Sequence, residues 1–168
     1  MYRLYLMRHA KAAWGGPAVS DFDRPLAPTG KEDARLLGQN MKKLSYLPGI
    51  IICSGARRTR ETWDAVASFI AAEARQVHFL DELYRADSAE CLALVMAYAG
   101  RSSLMVVGHN PVMEDLALAL APTGDGRALA AVRAGFPAAG LAVLEFETPL
   151  GDAGPGKGAL VDFLRPAG

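Results

Sequence analysis

The chain has 168 residues, 51% of them hydrophobic, which is the size of one domain with enough apolar side chains to cover both faces of a sheet. Lys+Arg and Asp+Glu both number 18, so no overall field exists to condense the chain on nucleic acid or an anionic membrane, and any anion has to be caught by a local cluster. Cys53 and Cys91 lie far apart and lack a C-x-x-C partner, a usage that suits reduced thiols in a reducing compartment and argues against a disulfide or a zinc site.

The opening MYRLYLMRHA is too short an apolar run for a signal peptide, and no run approaches about 18 consecutive apolar residues; the expectation is a soluble cytoplasmic protein without membrane contact. Residues 2–7 predict a first strand, followed by a loop rich in Gly, Pro and Asp through Pro28. In KEDARLLGQNMKKL the residues Ala34, Leu37, Met41 and Leu44 share one helical face, with Thr29 and Glu32 spaced as a capping box. GIIICS predicts a fully buried strand and RRTRETWDAVASFIAAEA a second helix, with Trp63, Val66 and Ile70 on its apolar face. VHFL predicts a third strand, SAECLALVMAYAG a third helix with Ser88 as N-cap and Gly100 as stop, and LMVVGH a fourth strand. Asn110 and Pro111 then cap and open a helix over PVMEDLALALA, and LAVLEFE and ALVDFLR predict two late strands. Trp14, Trp63 and Met96 read as packing residues.

Strands alternating with helices, with no internal repeat or linker, predict a single domain over residues 1–168: an α/β fold, a three-layer α/β/α sandwich around a mainly parallel, mixed sheet. Such sheets bind ligands at the carboxyl ends of their strands. Arg8 and His9 follow the first strand, Ser54 to Arg60 the second, Asp81 and Glu82 the third, and His109 the fourth. If the strands are parallel neighbours, these groups meet on one edge.

Two histidines, several arginines and a carboxylate are what displacement at phosphorus asks of a protein without a metal. Arginine matches phosphate oxygens in a fork, a neutral imidazole attacks in line, a second imidazole bonds an equatorial oxygen, and a carboxylic acid protonates the departing group. A cysteine-based phosphatase fails on spacing, since its loop places an arginine after Cys53 and five intervening residues, a position held by Thr59, and Arg58 falls one residue short. His9, His78 and His109 are scattered without ligand-spaced partners, so no metal and no cofactor is expected.

Four stretches, RHAKAAW, RPLAPTG, SGARRTRET and VVGHNP, occur in an order that resembles the histidine phosphatase superfamily, which includes the phosphoglycerate mutases. The short chain is most similar to its compact SixA-type phosphohistidine phosphatases. The resemblance implies a phosphoglycerate mutase-like fold and a metal-independent phosphatase with a phosphohistidine intermediate. It implies His9 as nucleophile, Arg8 as the adjoining phosphate ligand, His109 as the second histidine and Glu82 as proton donor. The family spacing Ser, three residues, Arg, three residues, Thr selects Ser54, Arg58 and Thr62, and passes over Arg57 and Arg60.

Ala10 stands where the family usually has glycine, and Lys11 where an acidic residue is common. Asp81 competes with Glu82 for the donor role. Arg24, like Ser54 a candidate for substrate binding, is equally suited to pairing with Asp21 or Asp23. The missing inserts predict an open site, favouring a phosphorylated protein, with phosphohistidine in a signalling or phosphotransfer protein as the leading substrate. A small phosphate ester is the alternative, and a phosphate-binding module without turnover is a third reading. The oligomeric state stays open.

Overall fold

Along the first strand, β1 (Tyr2–Arg8), Leu4 and Leu6 point to one face and Tyr5 and Met7 to the other, and all four are buried. A strand apolar on both sides needs cover on both sides. The computed structural model, which describes residues 1–166, supplies it with helices above and below a seven-stranded sheet.

After β1 come η1 (Asp21–Asp23), α1 (Pro28–Lys43), β2 (Ile50–Ser54), α2 (Arg57–Ile70), η2 (Ala71–Glu73) and β3 (Gln76–Leu80). There follow α3 (Glu82–Arg85), α4 (Ser88–Ala99), β4 (Leu104–Gly108), α5 (Val112–Leu120), β5 (Thr123–Gly124), α6 (Gly126–Ala134), β6 (Leu141–Phe146), η3 (Leu150–Asp152) and β7 (Gly158–Leu164). The strand order is β3-β2-β4-β1-β6-β7-β5. The first four run parallel, β6 is antiparallel to β1 and to β7, and β5 pairs in parallel with β7. This is the mainly parallel, mixed α/β/α sandwich that the pattern predicts.

On one face Ala34, Leu37 and Met41 of α1 and Trp63, Val66 and Ile70 of α2 pack on Tyr5, Met7, Ile51, Cys53, Met105 and Val107. On the other, α4, α5 and α6 bring Cys91, Val95, Met113, Leu116, Leu120 and Val132 against Leu4, Leu6, Ile52, Leu104 and Val106. Each fully buried aliphatic side chain contributes about 1.5–3 kcal/mol.

The register positions the site. Arg8 pairs with Gly108, Cys53 with Val107 and Ser54 with Leu80, so the carboxyl ends of β1, β2, β3 and β4 finish level. The residues that follow them are thereby delivered to one edge.

Several local expectations differ. Pro28 takes the first position of α1, where its fixed φ and missing N–H carry no penalty, so Thr29 lies inside the helix and the Thr29–Glu32 capping box does not form. The box forms at α4 instead, where Asp87, one residue before Ser88, accepts the Glu90 N–H at 2.8 Å and Glu90 Oε1 accepts the Asp87 N–H at 3.2 Å. Pro111 is the cap of α5, with Asn110 Oδ1 accepting the Glu114 N–H at 3.2 Å. Trp63 is buried, but Trp14 and Met96 are exposed, and Leu44 lies past the end of α1 in solvent. Among the described residues no helix is long and apolar enough to cross a membrane.

Candidate active site

The loop leaving β1 is fixed through its backbone. His9 N–H donates to the Gly108 carbonyl at 3.0 Å, and the His9 carbonyl accepts the Ala139 N–H at 3.1 Å. Ala10 N–H donates to Thr62 Oγ1 at 3.0 Å, and Thr62 donates in turn to the Arg58 carbonyl at 2.7 Å. These atoms are buried, so the threonine of the SGARRTRET stretch ties α2 to the His9 loop. Gly30 packs against the Lys11 carbonyl with no room for a Cβ, and the same carbonyl accepts the Ala27 N–H at 2.9 Å. The RPLAPTG stretch therefore supports the loop from below.

His9 Nδ1 lies 2.7 Å from the Ala10 carbonyl oxygen, which has only acceptor character. The proton therefore sits on Nδ1, and Nε2 keeps a free lone pair. Burial pulls the ring down to about 4, with Arg58, Arg8 and Arg24 adding to the effect against the Ala10 hydrogen bond. At neutral pH this imidazole is uncharged.

The His109 ring centre stands 5.4 Å from that of His9. Its Nε2 lies 2.8 Å from Ser54 Oγ, which also accepts the Ala56 N–H at 3.3 Å. Burial again dominates in lowering its pKa to about 3, helped by His9 and Arg58 and opposed by Asp21. Ser54, expected to bind substrate, is wholly buried and its hydroxyl is engaged behind His109.

Arg8 donates from Nη1 to the Phe136 carbonyl at 2.9 Å, and burial lowers its pKa. Its Nε is, among the described residues, the one buried side-chain nitrogen or oxygen without a hydrogen-bond partner. Such a donor is costly unless something fills the position. The Phe136 carbonyl also accepts from Asn110 Nδ2 at 3.1 Å, and the Phe136 N–H donates to Glu114 Oε1 at 2.9 Å. Segment 122–140, silent in the sequence, thus carries β5, α6 and the loop that holds Arg8.

The three arginines of α2 separate cleanly. Arg58 is buried, Arg57 is exposed and paired with Glu61 at 3.1 Å, and Arg60 is exposed with its guanidinium 5.2 Å from the Phe79 ring centre. Arg58 donates from Nη1 to the Asp21 carbonyl oxygen at 2.7 Å and from Nη2 to Asp21 Oδ2 at 3.1 Å. Arg24 donates to Asp21 Oδ1 and to the Ala13 carbonyl, each at 3.1 Å.

Asp21 also accepts from the Tyr84 hydroxyl. That bond, with help from Arg24 and Arg58, holds its carboxyl down at about 2, against the opposing effect of burial. The Tyr84 ring stands edge-on to His109 at 5.5 Å and to Phe22 at 5.0 Å. Asp21, Arg58, Tyr84, Arg85, His109 and Asn110 line an open cleft of about 370 Å³. Glu82 opens α3 on the exposed side and is absent from this lining. Asp81 packs its carboxylate against Gly55, where it leaves no space for a Cβ. The sequence offers Asp21 only as a partner for Arg24, which the 3.1 Å pair bears out, and carries no signal for Tyr84.

The profile of the histidine phosphatase superfamily (branch 1) matches residues 4–91. The uncharacterized protein Rv1276c of Mycobacterium tuberculosis strain H37Rv is 36% identical over 165 residues, 95% of this chain and 99% of its own. The crystal structure of a candidate phosphohistidine phosphatase SixA from Agrobacterium tumefaciens superposes with a TM-score of 0.82 at 36% identity, covering 98% of each chain. A second candidate SixA, from Nakamurella multipartitia, gives a TM-score of 0.80 at 33% identity over 99% of this chain and 97% of its own.

Proposed function

Because this chain belongs to the histidine phosphatase superfamily and is a phosphatase, we propose that it works through a phosphohistidine formed on His9 and that its substrate is itself a phosphohistidine, carried by a signalling or phosphotransfer protein. The observation that carries the reading is the partnerless buried Nε of Arg8 beside two neutral histidines. An anionic oxygen completes that donor, and the phosphoryl group then lies against Arg8 and Arg58.

His9 Nε2 attacks phosphorus while the Ala10 carbonyl holds the proton on Nδ1. His109, oriented by Ser54, hydrogen-bonds an equatorial oxygen, and the guanidinium groups take up the charge spread over the others. Water then cleaves the phosphorus–nitrogen bond on His9 and releases phosphate. Arg24 is the outer cation, Ser54 a positioning residue for His109, and Glu82 the proton donor for substrates that need one. We assign positive charge to arginine throughout and no role to a metal or cofactor.

The preference for phosphohistidine rests on three supports. A nitrogen leaving group is already labile, so the absence of Glu82 from the cleft lining matters less. The cleft is open, as suits a side chain presented on another protein. The two structural relatives above are described as candidate phosphohistidine phosphatases. The buried free thiols of Cys53 and Cys91 fit a cytoplasmic setting, and the joining of all seven strands in one sheet supports reading residues 1–168 as one domain.

The test is a panel of phosphohistidine proteins and small phosphate esters compared by kcat/KM. The expected result is a preference of at least about tenfold for a phosphohistidine protein. A small ester turned over faster than every phosphoprotein would replace this substrate assignment. Phosphate release that never exceeds the background rate in single turnover would leave only a binding module.

A further inference from the structure

Asp21 is the one acidic residue lining the cleft beside His109. Its Oδ2 accepts from Arg58 and Tyr84, and its Oδ1 from Arg24. A carboxylate offers about four acceptor positions, so one remains, on Oδ1, in a side chain that is 51% exposed. The carboxylate is braced from three sides yet open toward the cleft. The guanidiniums of Arg58 and Arg85 stand 5.7 and 5.8 Å from the Tyr84 ring centre, so without Asp21 the charged groups of the lining would all be cations. Arg8, Arg24 and Arg58 all act on His9, and the Asp21 carboxylate offsets one of these positive charges.

We propose that Asp21 is the specificity-determining residue for the leaving group: it accepts the hydrogen bond of the second ring nitrogen of the substrate phosphohistidine and disfavours phosphate esters that carry an anionic arm. The inference rests on the substrate reading above. In the reactive substrate one ring nitrogen bears phosphorus and the other a proton, so the ring is cationic. His9 Nε2 forms its bond to phosphorus as the substrate phosphorus–nitrogen bond breaks. The bonding pair returns to the substrate ring, which departs as neutral imidazole with its own proton still on the second nitrogen. No acid has to deliver a proton in this step. Asp21 favours the protonated ring by charge and fixes its orientation, while Tyr84 and the two arginines keep the carboxylate ionised and still.

Phosphoimidazole is the probe, set against phosphoglycolate, an ester with a carboxylate arm. For Asp21→Asn the ratio of kcat/KM for phosphoimidazole to that for phosphoglycolate falls at least about tenfold, the scale of one charge-assisted hydrogen bond. Tyr84→Phe keeps the carboxylate but removes one brace, and moves the ratio in the same direction by a smaller factor. It decides the matter if Asp21→Asn melts early. A wild-type enzyme that hydrolyses phosphoimidazole, with both variants leaving the ratio unchanged, overturns the role of Asp21 and spares the substrate reading. A wild-type enzyme that hydrolyses only the ester overturns both.

Discussion

The floor of the site and its rim are built by different means. On the floor, His9 and His109 follow two adjacent parallel strands in register, and their surroundings are backbone groups and buried side chains: the Gly108 and Ala10 carbonyls, Ser54 and Thr62. At the rim, η1 meets α3 through side chains, Phe22 and Asp21 on Tyr84, while Arg58 of α2 holds both the carboxylate and the carbonyl oxygen of Asp21. A floor set by strand register has one geometry and serves one chemistry. A rim set by side chains can change with little cost to the fold, and on this account that is where substrate choice resides.

The sharpest way to break this division is at Arg58, which belongs to both regions. Arg58→Lys keeps the charge but not the planar fork, and kcat/KM is expected to fall at least about a hundredfold, the scale of losing one transition-state donor. Arg57→Lys, on the exposed side of the same helix, should stay within about twofold in the same assay. Equal losses would mean that burial had misled the choice of arginine.

The floor is tested for rigidity at Thr62. Thr62→Val leaves the buried Ala10 N–H without an acceptor, which costs about 1–3 kcal/mol. Urea unfolding should show this loss together with reduced kcat, since the His9 loop is released. An unaltered midpoint would show that the tie is dispensable.

The floor also fixes the pH response. The neutral histidines are the working forms, and each is lost only as pH falls through its folded value, about 4 for His9 and about 3 for His109. The acid limb of kcat/KM should therefore lie well below the pH of about 6.5 at which free imidazole titrates. Because the unfolded chain binds these protons from about pH 6.5 downward and the folded chain does not, stability should decline as pH drops below that value. An enzyme limb near 6.5, common to substrates of different phosphate acidity, would mean that the two rings are solvated.

The smallest effect is expected at the rim. Glu82→Gln should change aryl ester turnover by less than about twofold and slow alkyl esters somewhat more, because only the latter need a proton on departure. A uniform large loss would give Glu82 a structural part in α3.

The sequence makes the floor legible because its parts are side chains at fixed spacing after predicted strands. RHA, SGARRTRET and VVGH each end or follow a β-branched or apolar run, and a parallel sheet aligns such ends. The rest is hidden for physical reasons. The ligands of Arg8 and His9 are carbonyl groups of Phe136 and Ala10, and a carbonyl has no residue signature. Strand β5 has two residues, too short for a period, and α6 opens at Gly126 amid loop-like glycine and proline. Tyr84 sits in a four-residue helix between a strand and a capping box, where no pattern separates a site residue from a turn. Its partner Asp21 is 63 residues away, a distance that local reading cannot bridge.

The central claim is that His9 attacks phosphorus and does not merely activate water. Brief mixing with ³²P-labelled substrate, an alkaline quench and peptide mapping test it directly, because a phosphoramidate survives base and is lost in acid. The account predicts acid-labile label on His9, and a His9→Ala variant that loses both label and turnover while still binding phosphate through Arg8 and Arg58. Label on His109, or a fully active His9→Ala enzyme, would contradict it.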